Sequence, residues 1–219
     1  MCANYESAKY ERLQARRTGV PVPEFHYTSE IYPGGVAPFL AAQHKETWLP
    51  GCFGLVPHWA QPKLARQTYN ARTETVSSKP SYRNAWKHKQ LAIIPAMAFY
   101  EPCYESGKPV RWRIERADKS VFGIAGIYER RMDDPGPTNW SFSMLTINAT
   151  DHPLMQRFHA PEDERRSVVI LDDDEWDDWL NARTEDEVRS YLRLFDPAEF
   201  AASASPRPAR SKDHIADSP

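Results

Sequence analysis

The sequence predicts an α+β protein, a single β-rich domain with a mainly antiparallel, barrel-like sheet flanked by helices. Short apolar or alternating segments bounded by turn residues recur through the middle of the chain, as in antiparallel sheets. Helical periodicity is confined to the two ends. A length of 219 residues with 41% apolar and 12% aromatic content is enough to form one sizeable core.

The N-terminal part of the chain contains one predicted helix and one long connection. Residues 5–17 place Tyr10 and Leu13 on one face and charged side chains elsewhere, which predicts a helix. Residues 19–50 are rich in Pro and Gly, so we expect a mostly irregular connection with short strands.

The strand signals lie in the middle of the chain. Residues 91–94 are apolar and predict a short buried strand that Pro95 ends. Residues 110–115 alternate between apolar and charged side chains, which predicts a half-buried strand. A turn at 117–120 then leads to its expected hairpin partner, 121–127. Two further strands are predicted at 141–147 and 167–171.

The C-terminal part contains a helix and a tail. Thr184 and Glu187 have the spacing of a capping box, and apolar residues follow at helical intervals. Beyond residue 199 the chain consists largely of Ala, Ser, Pro and Arg, which bury too little apolar surface to offset the entropy of ordering. We therefore expect one domain over residues 1–198 and a disordered tail over 199–219.

Composition and motifs exclude several classes of protein. The three cysteines form neither a disulfide framework nor a CxxC pair, and no apolar run approaches the ~18 residues of a membrane span. GxSxG, GxxxxGK[ST], GxGxxG and HExxH are all absent, which argues against common hydrolases, NTPases, dinucleotide enzymes and zinc enzymes. We expect a monomeric cytoplasmic protein with no membrane, metal or cofactor.

Charge is segregated along the chain despite a net charge of −2. Residues 60–90 contain seven Lys and Arg residues against Glu74 alone, whereas residues 172–199 contain eleven acidic residues against three Arg. This segregation is typical of a polyanion-binding face with an acidic opposite side. A solvated charge pattern without a partner remains the alternative.

Cys2 is the most informative single residue. Removal of Met1 would leave an amine and a thiol on adjacent carbons, and this 1,2-aminothiol can close on an aldehyde to form a thiazolidine. With pKa values of ~8 for the amine and ~8.5 for the thiol, both reactive forms are expected at neutral pH. The alternative is that Cys2 is simply the second codon.

Three further polar residues are candidates for chemistry. Asn70 can orient an amine or a carbonyl through its amide, or can form an Asx-turn. Glu101 ends an apolar aromatic run, where a carboxyl tends to have a raised pKa; the alternative is a strand-end Glu that reaches solvent. His159 is suited to proton transfer, but a lone His is more often structural, and His152 is a rival candidate.

Residues that could contact nucleic acid accompany these candidates. Arg72 can form a forked contact with phosphate or a surface salt bridge. Trp59, Trp86 and Tyr100 could present faces for base stacking, although each residue alone is more often part of a core.

In combination these residues resemble the SRAP proteins, the SOS-response-associated peptidase or abasic-site processing family. The matching strings occur in order over roughly residues 1–180: Met1-Cys2, Gly54-Leu55-Val56-Pro57-His58-Trp59, Asn70-Ala71-Arg72-Thr73-Glu74-Thr75, Ile94-Pro95-Ala96-Met97-Ala98-Phe99-Tyr100-Glu101, Met144-Leu145-Thr146, His159 and Val168-Val169-Ile170-Leu171.

The resemblance implies a protein that binds single-stranded DNA and crosslinks to abasic sites without a cofactor, after autopeptidase-type removal of Met1. It implies that Cys2 is the nucleophile and that Asn70 orients its amine. Glu101 would then act as acid and base, and His159 would assist ring opening and release. Arg72 would bind phosphate, and the match places two residues along the site, Pro38 and Thr146.

Two departures from the family pattern concern DNA contacts. Ala3-Asn4 replaces the usual Gly-Arg, and the Arg usually found two places after His159 is absent. Arg165 or Arg166 is a candidate to compensate. Two other functions stay open, an N-terminal-nucleophile cysteine amidase or autopeptidase and a non-catalytic single-stranded DNA-binding module.

Overall fold

A computed structural model describes residues 2–16, 20–132 and 139–207. Twelve strands form one sheet. They are β1 Tyr5–Ser7, β2 Glu30–Ile31, β3 Val36–Ala41, β4 His44–Phe53, β5 Asn70–Arg72, β6 Leu91–Cys103, β7 Val110–Arg116, β8 Phe122–Arg130, β9 Trp140–Asn148, β10 Arg166–Val168, β11 Ile170–Leu171 and β12 Phe200–Ala204.

The helices are short. They are α1 Tyr10–Arg16, α2 Arg83–Lys87, α3 Trp176–Asn181 and α4 Glu185–Ser190, with 3-10 turns at Pro62–Gln67, Met155–Arg157 and Pro197–Glu199. The predicted capping box is confirmed at α4, where Glu187 N–H donates to Thr184 Oγ1.

The predicted fold class is confirmed, and the sheet closes on itself as a ring of strands. β6 pairs with β3 on one edge and β8 on the other, and β8 connects through β9 and β4 back to β3. Most pairings are antiparallel, but β4 and β5 both run parallel to β9. The sheet is therefore mixed.

Two apolar layers cover opposite faces of the strands. On β8, Phe122 and Ile124 belong to one buried cluster, which contains many of the aromatic side chains, whereas Ala125 and Ile127 belong to the other. The second cluster includes Trp179 of α3. This alternation is what a strand buried on both faces requires.

β6 is longer than the sequence predicts and has a different set of partners. It continues through Pro95 to Cys103, pairing with β8 over residues 91–96 and with β7 over residues 99–103. The predicted hairpin between 110–115 and 121–127 is wrong, because each of these strands pairs with a different half of β6. Glu101 lies in the second half of β6, which pairs with β7 rather than with a strand of the closed ring.

Both chain ends differ from the sequence predictions. Residues 5–7 form β1 rather than the first turn of a helix, because Tyr5 is buried against Phe53 with ring centroids 5.2 Å apart. The predicted disordered tail is wrong for residues 200–204, which form β12 and pair with β7. Phe200 anchors this strand against Phe122, with ring centroids 5.3 Å apart. Residues 208–219 of the predicted tail lie outside the described residues.

Candidate active site

Cys2 is buried beside the distal half of β6. The strand β1 begins three residues after it and pairs Tyr5 with Phe99 of β6, which fixes the chain start against that strand. The Cys2 thiol donates to the carbonyl of Asn4 at 3.4 Å. The N-terminal segment is thus held in the interior, although the ends of protein chains are ordinarily exposed.

Asn70 binds the backbone of Cys2 directly. Its side-chain Nδ2 donates to the Cys2 carbonyl oxygen at 2.8 Å. β5 begins at Asn70 and runs parallel to β9 in register with Met144, so the amide is fixed by the sheet. Asn70 Oδ1 is buried and has no hydrogen-bond partner in the described part of the chain, which leaves it free to accept from a ligand.

Glu101 and His159 lie side by side in the same place. His159 Nε2 is 3.4 Å from Glu101 Oε2, and the two residues are 5% and 2% exposed. The loop carrying His159 is attached to β6 by a bridge between Cys103 and Phe158 and by a 2.9 Å bond from His159 N–H to the Pro102 carbonyl. His159 has a φ of 73°, a conformation uncommon for residues other than Gly.

Burial moves the pKa values of Glu101 and His159 in opposite directions. Loss of hydration raises the pKa of Glu101 to about 7 and lowers that of His159 to about 4. Between these values the carboxyl is protonated and the imidazole is neutral, so their contact is not an ion pair. Glu101 therefore has the pKa of an acid and base that works near neutral pH.

The thiol of Cys2 differs from the sequence expectation of an appreciable thiolate fraction. Burial, with a further contribution from the charge of Glu101, raises the pKa of the Cys2 thiol to about 12. The thiol is therefore protonated at neutral pH in this structure. Any reaction at sulfur must therefore include removal of that proton, and the ionised form of Glu101 disfavours the thiolate.

Together these residues bring a thiol, a hydrogen-bonded amide, a titrating carboxyl and an imidazole to one buried location. Within the described residues neither ring nitrogen of His159 forms a hydrogen bond of regular geometry, although Nε2 lies 3.4 Å from Glu101 Oε2. Buried polar atoms without a hydrogen bond are energetically costly, and at a functional site they are candidates for contact with a ligand. The arrangement has the components of acid–base and nucleophilic chemistry at a carbonyl carbon.

His152, the rival histidine, is structural. Its Nε2 is 2.9 Å from the carbonyl oxygen of Phe195, and its Nδ1 accepts from the backbone N–H groups of Leu154 and Met155 at 3.2 Å. Both ring nitrogens are therefore occupied, Nδ1 by the start of the 3-10 turn that precedes His159 and Nε2 by the C-terminal part of the chain.

Three of the expected site-lining residues have distinct environments. Arg72 is exposed and forms a 2.9 Å ion pair with Glu164. Thr146 is buried on β9, where its carbonyl accepts from the backbone N–H of Thr73. Pro38 lies in β3 opposite Pro50 of β4. Of these three side chains, Arg72 is accessible to a phosphate group as the structure stands.

The two arginines expected to compensate for the missing family Arg are occupied by the protein itself. Arg166 is 2% exposed and forms ion pairs with Glu74 at 2.8 Å and Glu164 at 2.6 Å. Arg165 donates through Nη1 to backbone carbonyls of the 160–163 turn. Arg166 is thus held by both terminal nitrogens and Arg165 by Nη1. The DNA contact expected of either side chain stays a prediction.

The three aromatic stacking candidates separate clearly. Trp59 is 58% exposed on a turn and is open to a base. Trp86 is buried in the second core cluster, so it is not a stacking surface. One face of Tyr100 is covered by Arg111, whose guanidinium carbon lies 3.4 Å from the ring centroid.

Sequence reasoning missed two residues next to the site. Tyr69 precedes Asn70 and is half-buried; burial, with the nearby Cys2 and Glu101, raises the pKa of its hydroxyl. Arg111 occupies a solvent-facing position in the alternation of β7, yet it donates to Asn4 Oδ1 at 2.7 Å. Adjacency to Asn70 was a signal for Tyr69, whereas nothing local in the sequence indicates the contact made by Arg111.

The basic stretch remains accessible. Lys63, Arg66, Lys79, Arg83 and Lys87 are exposed, and no acidic side chain among the described residues forms an ion pair with them. The acidic C-terminal segment is instead compensated internally, for example by Arg193 with Asp172 and Glu175. The charge asymmetry of the sequence therefore persists at the surface of the folded chain.

Two further structural observations bear on the class of protein. Within the described ranges, no three His, Cys, Asp or Glu side chains are grouped so that they could bind a metal ion. None of the helices in those ranges has both the length and the apolar content needed to cross a membrane.

Comparison with known proteins tests the resemblance carried by the sequence motifs. A family model described as SOS response associated peptidase (SRAP) matches residues 1–206. The chain belongs to the SRAP family. The match extends through β12, so the last strand is part of the family domain rather than an appendage to it.

Individual relatives agree with this assignment. The abasic site processing proteins YoqW and YoaM of Bacillus subtilis (strain 168) are 32% and 30% identical to this SRAP chain over 154 residues, which is 68% of the chain. The aligned region covers 65% and 64% of those relatives, slightly less than two thirds of their length.

Solved structures share the fold. A protein from Bordetella bronchiseptica is 33% identical with a TM-score of 0.83, over 93% of this chain and 99% of that one. A protein from Bacteroides thetaiotaomicron is 24% identical with a TM-score of 0.78, over 93% of this chain and 91% of that one. The second likeness concerns the fold alone.

Proposed function

We propose that this SRAP protein processes abasic sites in single-stranded DNA by forming a covalent thiazolidine between Cys2 and the opened deoxyribose. The observation that carries the proposal is the convergence of Cys2, Asn70, Glu101 and His159, which are far apart in the sequence. The names of the Bacillus relatives favour abasic DNA as the substrate. The exposed basic stretch supports a polyanionic partner.

The first step is attack on the sugar. After Met1 is removed, the α-amine of Cys2 attacks C1′ of the open-chain aldehyde. The bond from Asn70 Nδ2 to the Cys2 carbonyl orients this residue, and His159 assists opening of the hemiacetal ring. Holding amine and aldehyde together replaces a bimolecular encounter, an effect worth up to several kcal/mol.

The second step closes the ring. Glu101, whose pKa of about 7 leaves part of it protonated at neutral pH, donates the proton that lets the carbinolamine oxygen leave as water, giving a protonated imine and a Glu101 carboxylate. Sγ then adds to C1′ as the thiol proton passes to Glu101, which restores the carboxylic acid and leaves the ring nitrogen as a neutral N–H. The net reaction joins aldehyde and aminothiol with loss of one water. Because the aldehyde is consumed, β-elimination and strand cleavage are blocked.

The amidase alternative receives less support from the same site. A cysteine amidase needs a readily formed thiolate, whereas burial raises the pKa of the Cys2 thiol to about 12. Addition of sulfur to a protonated imine does not need a preformed thiolate, since the electrophile is activated and Glu101 can accept the thiol proton as the bond forms. Autopeptidase action in this proposal is limited to removal of Met1.

One mixing experiment separates the three functions. The purified protein is incubated with single-stranded DNA that carries or lacks one abasic site and is then analysed under denaturing conditions. We expect a covalent band that depends on the lesion. Binding seen only before denaturation would favour the non-catalytic module, and turnover of peptides or amides would favour the amidase.

Cys2 variants refine the test. Cys2→Ala keeps a terminal amine but cannot close a thiazolidine, so we expect an adduct only when a reductant traps the imine. Cys52→Ala is the matched control, since Cys52 is also a buried free thiol. A stable, unreduced adduct of Cys2→Ala would refute the ring-closing step.

A further inference from the structure

A cleft of about 570 Å³ opens directly beside Glu101. One side of it is formed by the chain start and β6, through Asn4 and Glu101, and the other by Arg111 of β7. The segment that follows β12, with Pro206 and Arg207, forms its rim. It is therefore built largely by residues outside the catalytic group.

Arg111 is the main polar feature of this cleft, and it is held in a fixed orientation. Its guanidinium lies flat on the ring of Tyr100, and two of its nitrogens donate to Asn4 Oδ1 at 2.7 and 3.2 Å. It also donates to the carbonyl of Ser205 at 3.3 Å and forms an ion pair with Glu30. A preorganised guanidinium loses little entropy on binding an anion.

Two arginines, Arg111 and Arg207, line the cleft, and two carboxyl groups lie beside them: Glu30 and the buried Glu101, whose pKa is raised to about 7. Glu30 is opposed by both Arg111 and Arg207, whose charges, with a hydrogen bond from Tyr32, outweigh burial and keep the pKa of Glu30 below its usual range. Arg207 also lies 5.0 Å above the ring of Tyr32. Two cations with one exposed carboxylate can exchange that carboxylate for a phosphate.

Asn4 connects the cleft to the chain start. Its side-chain oxygen accepts from two nitrogens of Arg111, so this cation of β7 is fixed to a residue two positions after Cys2. Val110 and Pro206 add apolar surface to the cleft, which suits a deoxyribose.

Resting on the proposed function, we infer that this cleft binds the deoxyribose phosphate adjacent to the abasic site, with Arg111 as the phosphate ligand and Arg207 as a second cation. Glu30 occupies the phosphate position in the absence of DNA. DNA binding therefore requires that a phosphate replace the Glu30 carboxylate at Arg111. Removal of the Arg111 charge should weaken DNA binding, whereas removal of the Glu30 charge should strengthen it.

The test measures non-covalent affinity, so that it does not depend on crosslinking. The probe is a single-stranded oligonucleotide with a tetrahydrofuran abasic analogue, which has no aldehyde, and fluorescence anisotropy gives Kd. We expect Arg111→Gln to raise Kd about tenfold and to reduce the salt slope by ~0.7, the loss of one phosphate contact. Glu30→Gln should lower Kd.

A neutral methylphosphonate at each flanking linkage in turn identifies the phosphate. In the unmodified protein one of the two replacements should weaken binding about as much as Arg111→Gln does, and the combination should add nothing further. A purely structural ion pair predicts weaker binding for both Glu30→Gln and Arg111→Gln, which would overturn the inference, as would full additivity with both methylphosphonates.

The chain offers a control away from the basic stretch. In the acidic C-terminal segment Arg193 forms ion pairs with Asp172 and Glu175, both at 2.6 Å. Arg193→Gln and Asp172→Asn should leave Kd unchanged. If thermal denaturation shows that Arg111→Gln does not fold, Glu30→Gln and the methylphosphonates still test the inference.

The two proposals can fail separately. Tight, Arg111-dependent binding of the tetrahydrofuran oligonucleotide without any covalent product from a true abasic site would refute the covalent chemistry and support the cleft. A lesion-dependent adduct with no response to Arg111→Gln or to Glu30→Gln would overturn the cleft and leave the chemistry standing.

Discussion

Nε2 of His159 lies 3.4 Å from Oε2 of Glu101, and at neutral pH this contact joins two groups that burial drives toward their uncharged forms. A buried ion pair would fix both charges. A neutral acid beside a neutral imidazole can instead donate and accept protons as a substrate changes charge. The pairing is therefore suited to the successive proton transfers of imine formation.

The opposite pKa shifts of this pair predict opposite dependences of stability on pH. The pKa of Glu101 rises from 4.5 to about 7 on folding, so its contribution to stability is full below pH 4.5 and is lost as pH rises toward about 7. The pKa of His159 falls from 6.5 to about 4, so its contribution is full above pH 6.5 and is lost as pH falls toward about 4.

Single variants separate these two contributions. In Glu101→Gln the free energy of unfolding should increase with pH between about 4 and 6.5, and in His159→Gln it should decrease between 4.5 and about 7. Urea denaturation at several pH values measures both slopes. If stability changed with pH in the same direction in both variants, burial would not shift the pKa values of Glu101 and His159 in opposite directions.

Asn70 is predicted to affect the rate of crosslinking rather than the binding of DNA. Asn70→Ala removes the 2.8 Å bond to the Cys2 carbonyl, so we expect the rate at saturating DNA to fall roughly ten- to hundredfold. Asn70→Asp should behave like Asn70→Ala, since an ionised carboxylate cannot donate that bond. Asn84→Ala is the control, because its amide donates to Glu129 at 2.9 Å. An equal loss in Asn84→Ala would attribute the effect to general destabilisation.

Trp59 is predicted to be a base-stacking surface. Trp59→Ala should weaken non-covalent binding of single-stranded DNA by about 1–3 kcal/mol and leave the melting temperature unchanged, because the side chain is 58% exposed. Met132→Ala removes an even more exposed apolar side chain and should have no effect on binding. Comparable losses in the two variants would argue against stacking.

Arg166 and Arg72 are predicted to have separate roles. Arg166→Gln leaves the Thr146 carbonyl without its 2.7 Å donor and disrupts two ion pairs, so we expect a loss of about 3 kcal/mol in unfolding free energy. Arg72→Gln removes an exposed pair and should cost less than about 1 kcal/mol.

DNA binding should show the reverse order for these two arginines. Arg72→Gln should reduce the salt slope of single-stranded DNA binding by ~0.7, whereas the slope for folded Arg166→Gln should match that of the unmodified protein. Titrations at four salt concentrations measure both slopes. A reduced slope for Arg166→Gln would restore it as a phosphate ligand.

Local sequence signals were sufficient where the structure depends on local chemistry. The alternation of 110–115 and the apolar run of 141–147 are confirmed as β7 and β9, and the capping box at Thr184 is confirmed. The motifs were sufficient to indicate the family, since the family model matches residues 1–206. Pairing partners were harder to predict, since β6 is long enough to take both β7 and β8 as neighbours.

Site details that depend on tertiary contacts could not be predicted from the sequence. Nothing local in the sequence indicates that Glu74 and Glu164 form ion pairs with Arg166, for which a DNA contact is predicted. The same limit applies to the Cys2 thiol, since its raised pKa follows from burial that no local pattern indicates. Phe200 was similarly assigned to a tail, because one aromatic residue among Ala and Ser gives little sign of a strand.

Intact mass spectrometry of the protein after incubation with an abasic oligonucleotide tests the central claim most directly. We predict the mass of the chain lacking Met1, plus that of the oligonucleotide, less one water, and no added hydrogen after borohydride treatment, because a thiazolidine contains no imine to reduce. Retention of Met1, or an adduct that gains two hydrogens under borohydride, would contradict the account.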